Sequence, residues 1–261
     1  QAARFVLEDY GIAATVILAH RRGNCAAYNA GFHTALNTYQ EASHILVIDD
    51  DEIARPHWME TITAIARDTG ASFTGAPQFP VFEQEEKQVW ANHPVFRPPY
   101  DRSGLVPIIY SSGNVLIETS FLRKHGYPWL DERFNFLGGG DSDFYARCKA
   151  EGAIFAWATE AALDETTPSR RTELSWLNSR SLRNGSISAL IQKRAARGSG
   201  DHLKRWVKSL LLLAASPYRS LTLFVNSRSL TMAVDPMNVA LGRLLMEFGF
   251  ANEQYRAADK N

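Results

Sequence analysis

The sequence predicts an α/β fold: a mostly parallel sheet flanked by helices, followed by a helical appendage. Three observations carry that prediction. Over the first two thirds of the chain, short apolar runs alternate with helix-length patterns, as in strand–helix–strand units. One apolar run, Ile45-Leu46-Val47-Ile48, delivers four acids, Asp49-Asp50-Asp51-Glu52, at its C-terminal end. The last third holds helical patterns with no strand run after them.

Each element has a local reason. Ala14 to Ala19 is an apolar run of buried-strand type, and Cys25 to Tyr39 is helix-compatible. His44 to Ile48 is a second strand, rich in β-branched residues. Pro56 sits at a favoured first-turn position, and the helix it opens closes at Gly70. Ala71 to Ala76 is a further strand, and Pro77 to Pro107 reads as a long excursion or hairpin. Ile108 to Ile117 is strand-like, Glu118 to His125 is helical, and Gly126 follows. Gly138 to Gly140 leads into a helix from Asp141 to Ala150 closed by Gly152, then a last strand, Ala153 to Ala158. Thr172 to Lys193 is a helix, and Ala195 to Gly200 is a small-residue linker. Asp201 is placed to cap a helix rich in Leu210 to Leu213. Asp235-Pro236 reads as a cap and first-turn proline of an amphipathic helix running to Phe248. The domain expectation is an α/β domain over 1–168 and a helical region over 169–261.

Composition narrows the function classes. The 261 residues carry 28 Lys+Arg and 28 Asp+Glu, so overall charge gives no reason to expect a nucleic-acid partner. Two cysteines, Cys25 and Cys148, exclude a disulfide framework and a four-cysteine zinc site, and they fit a reducing cytosol. The most apolar run, Leu210 to Ala215, is far short of the ~20 residues a membrane span needs. The start, Gln-Ala-Ala-Arg, has no signal-peptide pattern. The neutral total conceals segregation. Residues 1–168 hold 13 basic and 22 acidic residues, whereas residues 169–228 hold 12 and 2. The basic part, with Arg194, Arg197, Lys204, Arg205 and Lys208 beside an apolar run, suits an anionic membrane surface. A contact with a second copy or with the acidic domain is the alternative.

Four motifs carry chemistry. Adjacent carboxylates at a strand end repel one another and call for an offsetting cation. Mg²⁺ or Mn²⁺ uses one or two carboxylates plus substrate phosphates. Asp49 and Asp51 would share one side of an extended segment and so could ligate together. The alternative is a solvated acidic turn. Gly138-Gly139-Gly140-Asp141-Ser142-Asp143 combines glycines that allow close backbone approach with a carboxylate placed as a general base. Its plain reading is a loop in which Asp141 is an N-cap. Ser112-Gly113-Asn114 interrupts a strand pattern, as a bulge or a ligand approach does. Arg170 and Arg171, after Glu165, could hold a diphosphate or simply start a helix. Trp129 could stack on a sugar or sit in the core.

Taken in order, these motifs resemble those of the family 2 glycosyltransferases of the GT-A (Rossmann-like) fold. Asp49-Asp50-Asp51 resembles the family's DxD metal motif, and Gly23 to Gly31 its glycine-to-Asn-x-Gly helix. Ser112-Gly113-Asn114 resembles its acceptor-side strand, and Gly139-Gly140-Asp141 its base motif. The Asp-Asp-Asp-Glu spelling with a later Glu-x-x-Pro-x-x-Arg segment is similar to bacterial exopolysaccharide (succinoglycan-type) sugar transferases. The resemblance covers residues 10–185. It implies an inverting transfer from a nucleotide-sugar, a UDP-sugar first, to a hydroxyl of a glycan or lipid-linked acceptor. The two thiols and the basic helical part add the expectation of a cytoplasmic chain, peripheral at the inner face of the cell membrane. The resemblance places Asp141 as base, Asp49 and Asp51 on Mn²⁺ or Mg²⁺, and Asn29, Asp50, Arg170 and Arg171 on the donor. Asn114, Trp129, Gly139, Gly140 and Asp143 fall on the acceptor side. Three departures stand out. The sequence begins at what resembles the family's third strand, Gly140 replaces the usual Glu, and no His lies between His125 and His202. The competing readings are a metal-dependent nucleotidyltransferase or phosphoesterase, and an inactive scaffold at a membrane surface.

Overall fold

A computed structural model describes residues 7, 9–11 and 13–250. Its centre is a five-stranded sheet in the order β1-β6-β3-β7-β5. These strands are β1 (His44–Val47), β3 (Phe73–Gly75), β5 (Gly104–Val106), β6 (Val115–Glu118) and β7 (Phe155–Trp157). A second sheet, β2-β8-β4, joins β2 (Glu52–Ala54), β4 (Gln78–Phe82) and β8 (Leu163–Thr167). The expected mostly parallel sheet is a mixed one. β1, β3 and β7 run the same way, but β6 lies antiparallel between β1 and β3, and β5 is antiparallel to β7.

Side-chain alternation explains the layers. In β6, Val115 and Ile117 enter one core while Leu116 enters the other. The first core lies under α1 (Asn24–Thr38) and α4 (Gly140–Ala150) and centres on Phe73. Phe73 stacks on Phe155 and meets Phe144 and Tyr145 edge-on. The second core lies under α2 (Trp58–Thr69), which buries Ile62 and Ala66. Gly70 ends α2 in the left-handed conformation at φ 62°, where glycine carries no Cβ penalty.

Three expectations on elements are corrected. Ala14 to Ala19 forms no strand: it enters neither sheet among the described residues, and Leu18 is exposed. Asp235-Pro236 does not start the last helix, because α7 (Leu230–Glu247) begins earlier with Ser229 capping the Met232 N–H. Asp235 instead accepts a hydrogen bond from Ser181 Oγ at 2.5 Å. Asp201 lies inside α6 (Ser199–Ser227), where it accepts from the Arg197 N–H. The strand β8 was not anticipated, since its polar sequence, Leu-Asp-Glu-Thr-Thr, hides a half-buried ladder.

After the α/β part, α3 (Thr119–His125) being its remaining helix, come α5 (Leu174–Ala195), α6 and α7. The crossing of α5 and α7 is backbone-close. A Cβ at Gly185 would stand 2.0 Å from the Val239 carbonyl oxygen, and one at Gly242 would stand 1.9 Å from that of Leu182. Two of the basic residues expected on a free surface are engaged inside the molecule. Arg194 pairs with Asp131 at 2.7 Å and Asp143 at 3.0 Å, joining the helical part to the α/β part. Arg205 is buried against Glu247 at 2.9 Å. Among the described residues, no helix is long and apolar enough to cross a membrane.

Candidate active site

Sheet register builds the site. Val47 of β1 faces Val115 of β6 in an antiparallel ladder, so the next positions outward bring Asp49 beside Gly113. A Cβ at Gly113 would lie 2.5 Å from Gln78 Nε2, 2.8 Å from Asp49 Oδ2 and 3.0 Å from Glu52 Oε1, so a side chain there would displace the ends of these three polar groups. The chain then turns from the central sheet into the small one, where Glu52 of β2 faces Glu165 of β8. The acids therefore occupy the seam between the two sheets.

Their surroundings set their protonation. Asp49 Oδ1 accepts from the Tyr28 hydroxyl at 2.7 Å. Partial burial of its carboxyl holds Asp49 above the ordinary range, Tyr28 opposes that shift, and Asp51 and Asp50 add repulsion. Glu52 accepts from the Asp49 N–H at 2.8 Å and from the Gln78 amide. Burial nevertheless pushes Glu52 up to about 7. Burial likewise raises Glu165, although Arg171 lies 2.6 Å away. Arg171 also stands 3.9 Å from Asp51, whose side chain is 40% exposed.

Asp141 enters from the first turn of α4. That turn is fixed on the 110–111 segment, where Tyr145 OH donates to the Ser111 carbonyl at 3.2 Å. Asp141 Oδ1 accepts from the Ser142 N–H at 2.7 Å. Crowding by protein raises its pKa, and the positive field of Arg180 counters it. Tyr28, bonded to Asp49, also lies within the field of Asp141. Burial, with the two carboxylates adding to it, holds the Tyr28 phenol well above its usual range. The arrangement is a carboxylate basin with cations, Arg171 and Arg180, supplied by the chain after β8.

Several expected site residues turn out to hold the fold. Asn29 is fully buried, and its amide donates to the Leu130 carbonyl at 2.8 Å and accepts from the Leu130 N–H at 2.9 Å. Asn114 accepts from Trp58 Nε1 and donates to the carbonyls of Pro77 and Ala161, which commits its amide. Trp129 is 4% exposed and donates to the Leu122 carbonyl, so it is a core residue and not a sugar platform. Asp143 is closed off by Arg147 and Arg194. The glycines before Asp141 approach protein, not ligand. A Cβ at Gly139 would meet Ile187 at 2.5 Å, and one at Gly140 would meet Cys25 Sγ at 2.3 Å. Position 140 therefore has no room for the glutamate of the resemblance. Asp50 is exposed on the turn, and Arg170 lies within the field of Glu83. Asp49, Asp51, Asp141 and Arg171 are the predicted residues that come together. Tyr28 and Gln78 were missed. Tyr28 had a signal, since it adjoins the buried Asn29 on a helix facing the acids, whereas Gln78 had none.

No family profile and no curated protein sequence matches the chain. Solved structures do match. A mannosyltransferase from Pyrobaculum calidifontis, in complex with GDP-Man and Mn²⁺, is similar over 93% of this chain and 73% of its own. Its TM-score is 0.54 at 14% identity. The fold is that of a glycosyltransferase. S. aureus TarS 1-349 in complex with UDP is similar over 96% of this chain and 80% of its own, with a TM-score of 0.45 and 12% identity. It has also been solved with UDP-GlcNAc.

Proposed function

We propose that this glycosyltransferase-fold chain is an inverting, metal-dependent transferase that moves a sugar from a nucleotide-sugar, a UDP-sugar first, to a hydroxyl acceptor. The acceptor class is a glycan or lipid-linked saccharide of cell-surface polysaccharide synthesis. The observation that carries this reading is the gathering of Asp49, Asp51 and Asp141 around Tyr28, with Arg171 near Asp51 and Arg180 within the field of Asp141.

The residues present fit a hard divalent cation of the kind that binds through one or two carboxylates plus phosphates. Asp51 is open to solvent, and Arg171 stands beyond hydrogen-bonding distance of it. Among the described residues there is no all-protein cage of three or more His, Cys, Asp or Glu, so the donor's phosphates would complete the coordination. Asp51, with Asp49 beside it, would hold Mn²⁺ or Mg²⁺. When bound, the ion supplies Lewis acidity and offsets charge on the leaving diphosphate. Arg171, 3.9 Å from Asp51, would take phosphate oxygens of the donor in exchange for Glu165. Asp141 takes the acceptor's proton as the hydroxyl oxygen attacks the anomeric carbon from the face opposite the diphosphate. Its raised pKa suits that role, since a base is most effective near the working pH. Tyr28 keeps Asp49 turned into the basin.

A panel of UDP- and GDP-sugars with Mn²⁺ or Mg²⁺, scored for nucleoside diphosphate release in the presence of saccharide acceptors, tests the reading. Transfer that depends on the metal and is lost in Asp51→Ala supports it. Release of pyrophosphate or inorganic phosphate instead would point to nucleotidyl transfer or phosphoester hydrolysis. Metal-independent binding of UDP by the native chain, unchanged in Asp51→Ala, would sink the ligand assignment.

A further inference from the structure

Gln78, the first residue of β4, is half-buried, and its amide is engaged at both ends. Nε2 donates to Glu52 Oε1, and Oε1 accepts from the Ser111 hydroxyl at 2.6 Å. Each partner is itself anchored. Glu52, 9% exposed, uses its other oxygen to accept from the Asp49 N–H at 2.8 Å, which closes the acid turn from within. Ser111 belongs to the segment that carries α4. Its carbonyl accepts from Tyr145 OH at 3.2 Å, and the neighbouring Tyr110 carbonyl accepts from Ser142 Oγ at 3.4 Å. A chain of hydrogen bonds therefore runs from the Asp49 backbone through Glu52, Gln78 and Ser111 to the helix that presents Asp141. The two ends call for an amide. An ionised Glu52 can only accept, while the Ser111 hydroxyl, which already accepts from the Gly113 N–H at 3.3 Å, has its proton to give. Glutamine donates at one end and accepts at the other.

We propose that Gln78 is a positioning residue: it sets the spacing between the acid turn and the start of α4, and with it the distance from a bound donor to the base. The inference rests on the transferase reading of the basin. Neither half depends on Gln78 for its own shape. The turn keeps the Glu52 bond to the Asp49 N–H, and the Glu52 N–H returns to the Asp49 carbonyl at 3.3 Å. The helix keeps Tyr145 on Ser111. Loss of the amide therefore uncouples the halves without dismantling either. A misplacement of about 1 Å between reacting groups can cost about a hundredfold in rate.

Gln78→Met, which keeps the length of the side chain and removes the amide, tests this in the full chain. Calorimetry with UDP and Mn²⁺ should give an affinity within about threefold of the parent, because the donor half is intact. In sugar transfer, kcat should fall about ten- to hundredfold at an unchanged KM for the nucleotide-sugar, because only the geometry between the halves is lost. A second arm exchanges the pair. Gln78→Glu alone sets two carboxylates against each other and should lose at least as much. Combined with Glu52→Gln it restores the bonding pattern: the amide at 52 accepts from the Asp49 N–H and donates to the carboxylate at 78, which still accepts from Ser111. The double variant should recover about tenfold or more in kcat over Gln78→Glu. The inference is overturned if Gln78→Met keeps the parental kcat, or if its melting temperature and UDP affinity fall in step with kcat. It is overturned too if the exchanged pair, shown folded by circular dichroism, recovers nothing. A parent chain that transfers no sugar in the nucleotide-sugar panel removes the transferase reading and the inference with it, whereas an active parent matched by Gln78→Met removes the inference alone.

Discussion

The α/β part and the helical part of this chain both hold crowded like charges, of opposite sign and in opposite settings. In the α/β part, Asp49, Asp51, Glu165 and Asp141 crowd a basin at the ends of strands. Asp51 is 40% exposed there, and the offsetting cations come from the other part of the chain. In the helical part, Arg205 and Arg243 are both buried, and Glu247 is the carboxylate that faces them. Arg243 is further held by Ser188 at 2.7 Å and Gln192 at 2.9 Å. An unbalanced basin open to water can exchange its partner for a charged ligand. An unbalanced cluster sealed between helices cannot. The first arrangement suits chemistry, and the second fixes how three helices pack.

The sharpest way to break this comparison is Asp141→Asn. If the open carboxylates serve chemistry, transfer should fall by about 10² to 10⁴ while the melting temperature holds. A loss of melting temperature without a loss of turnover would make Asp141 structural. On the sealed side, Glu247→Gln leaves two buried guanidiniums without a counter-charge. It should cost about 3–5 kcal/mol in denaturant unfolding, with little change in the kinetics of the protein that remains folded. Gly242→Ala drives a methyl group into the Leu182 carbonyl and should cost about 3 kcal/mol. Both variants should loosen the helical part, which hydrogen exchange would locate in α5 and α7.

The smallest effect lies at the seam between the parts. His93 is 1% exposed and faces Thr231 and Asp235 of α7, and burial lowers its pKa from 6.5. Below that pH the unfolded chain binds a proton that the folded one resists. Stability should therefore fall as pH drops through and below about 6.5, and it should be flat above. His93→Gln should flatten the acid limb in melts recorded from neutral to acid pH. An unchanged limb would place the acid sensitivity elsewhere.

Much of this was legible in the sequence, and the misses have physical causes. The strand that ends in acids, the helix from Asp141 and the basic segment after residue 168 all stand where periodicity and turn residues place them. The antiparallel insertion of β6 was not legible, because a short apolar run looks the same in either direction. β8 was missed because its ladder is made by backbone while its side chains read as a loop. At the site, charge type picked out Asp49, Asp51 and Arg171, which the fold brings near one another. It could not separate a polar side chain that meets a ligand from one that fastens backbone, as Asn29 and Asn114 do. The Gly-Gly-Gly run misled for the same reason, since close approach is its purpose but its neighbours are Ile187 and Cys25.

That glycine run bears on how variants of this chain would be interpreted. Gly139 sits at φ 80° against Ile187, and Gly140 sits against the Cys25 thiol, directly before the proposed base. Methyl groups there would shove α4 sideways and carry Asp141 with it. An alanine scan would then mark both glycines as indispensable and draw a catalytic map whose contours are steric. The same contact makes Cys25 a lever: a bulky label on that thiol would push the same helix without changing a single residue of the basin.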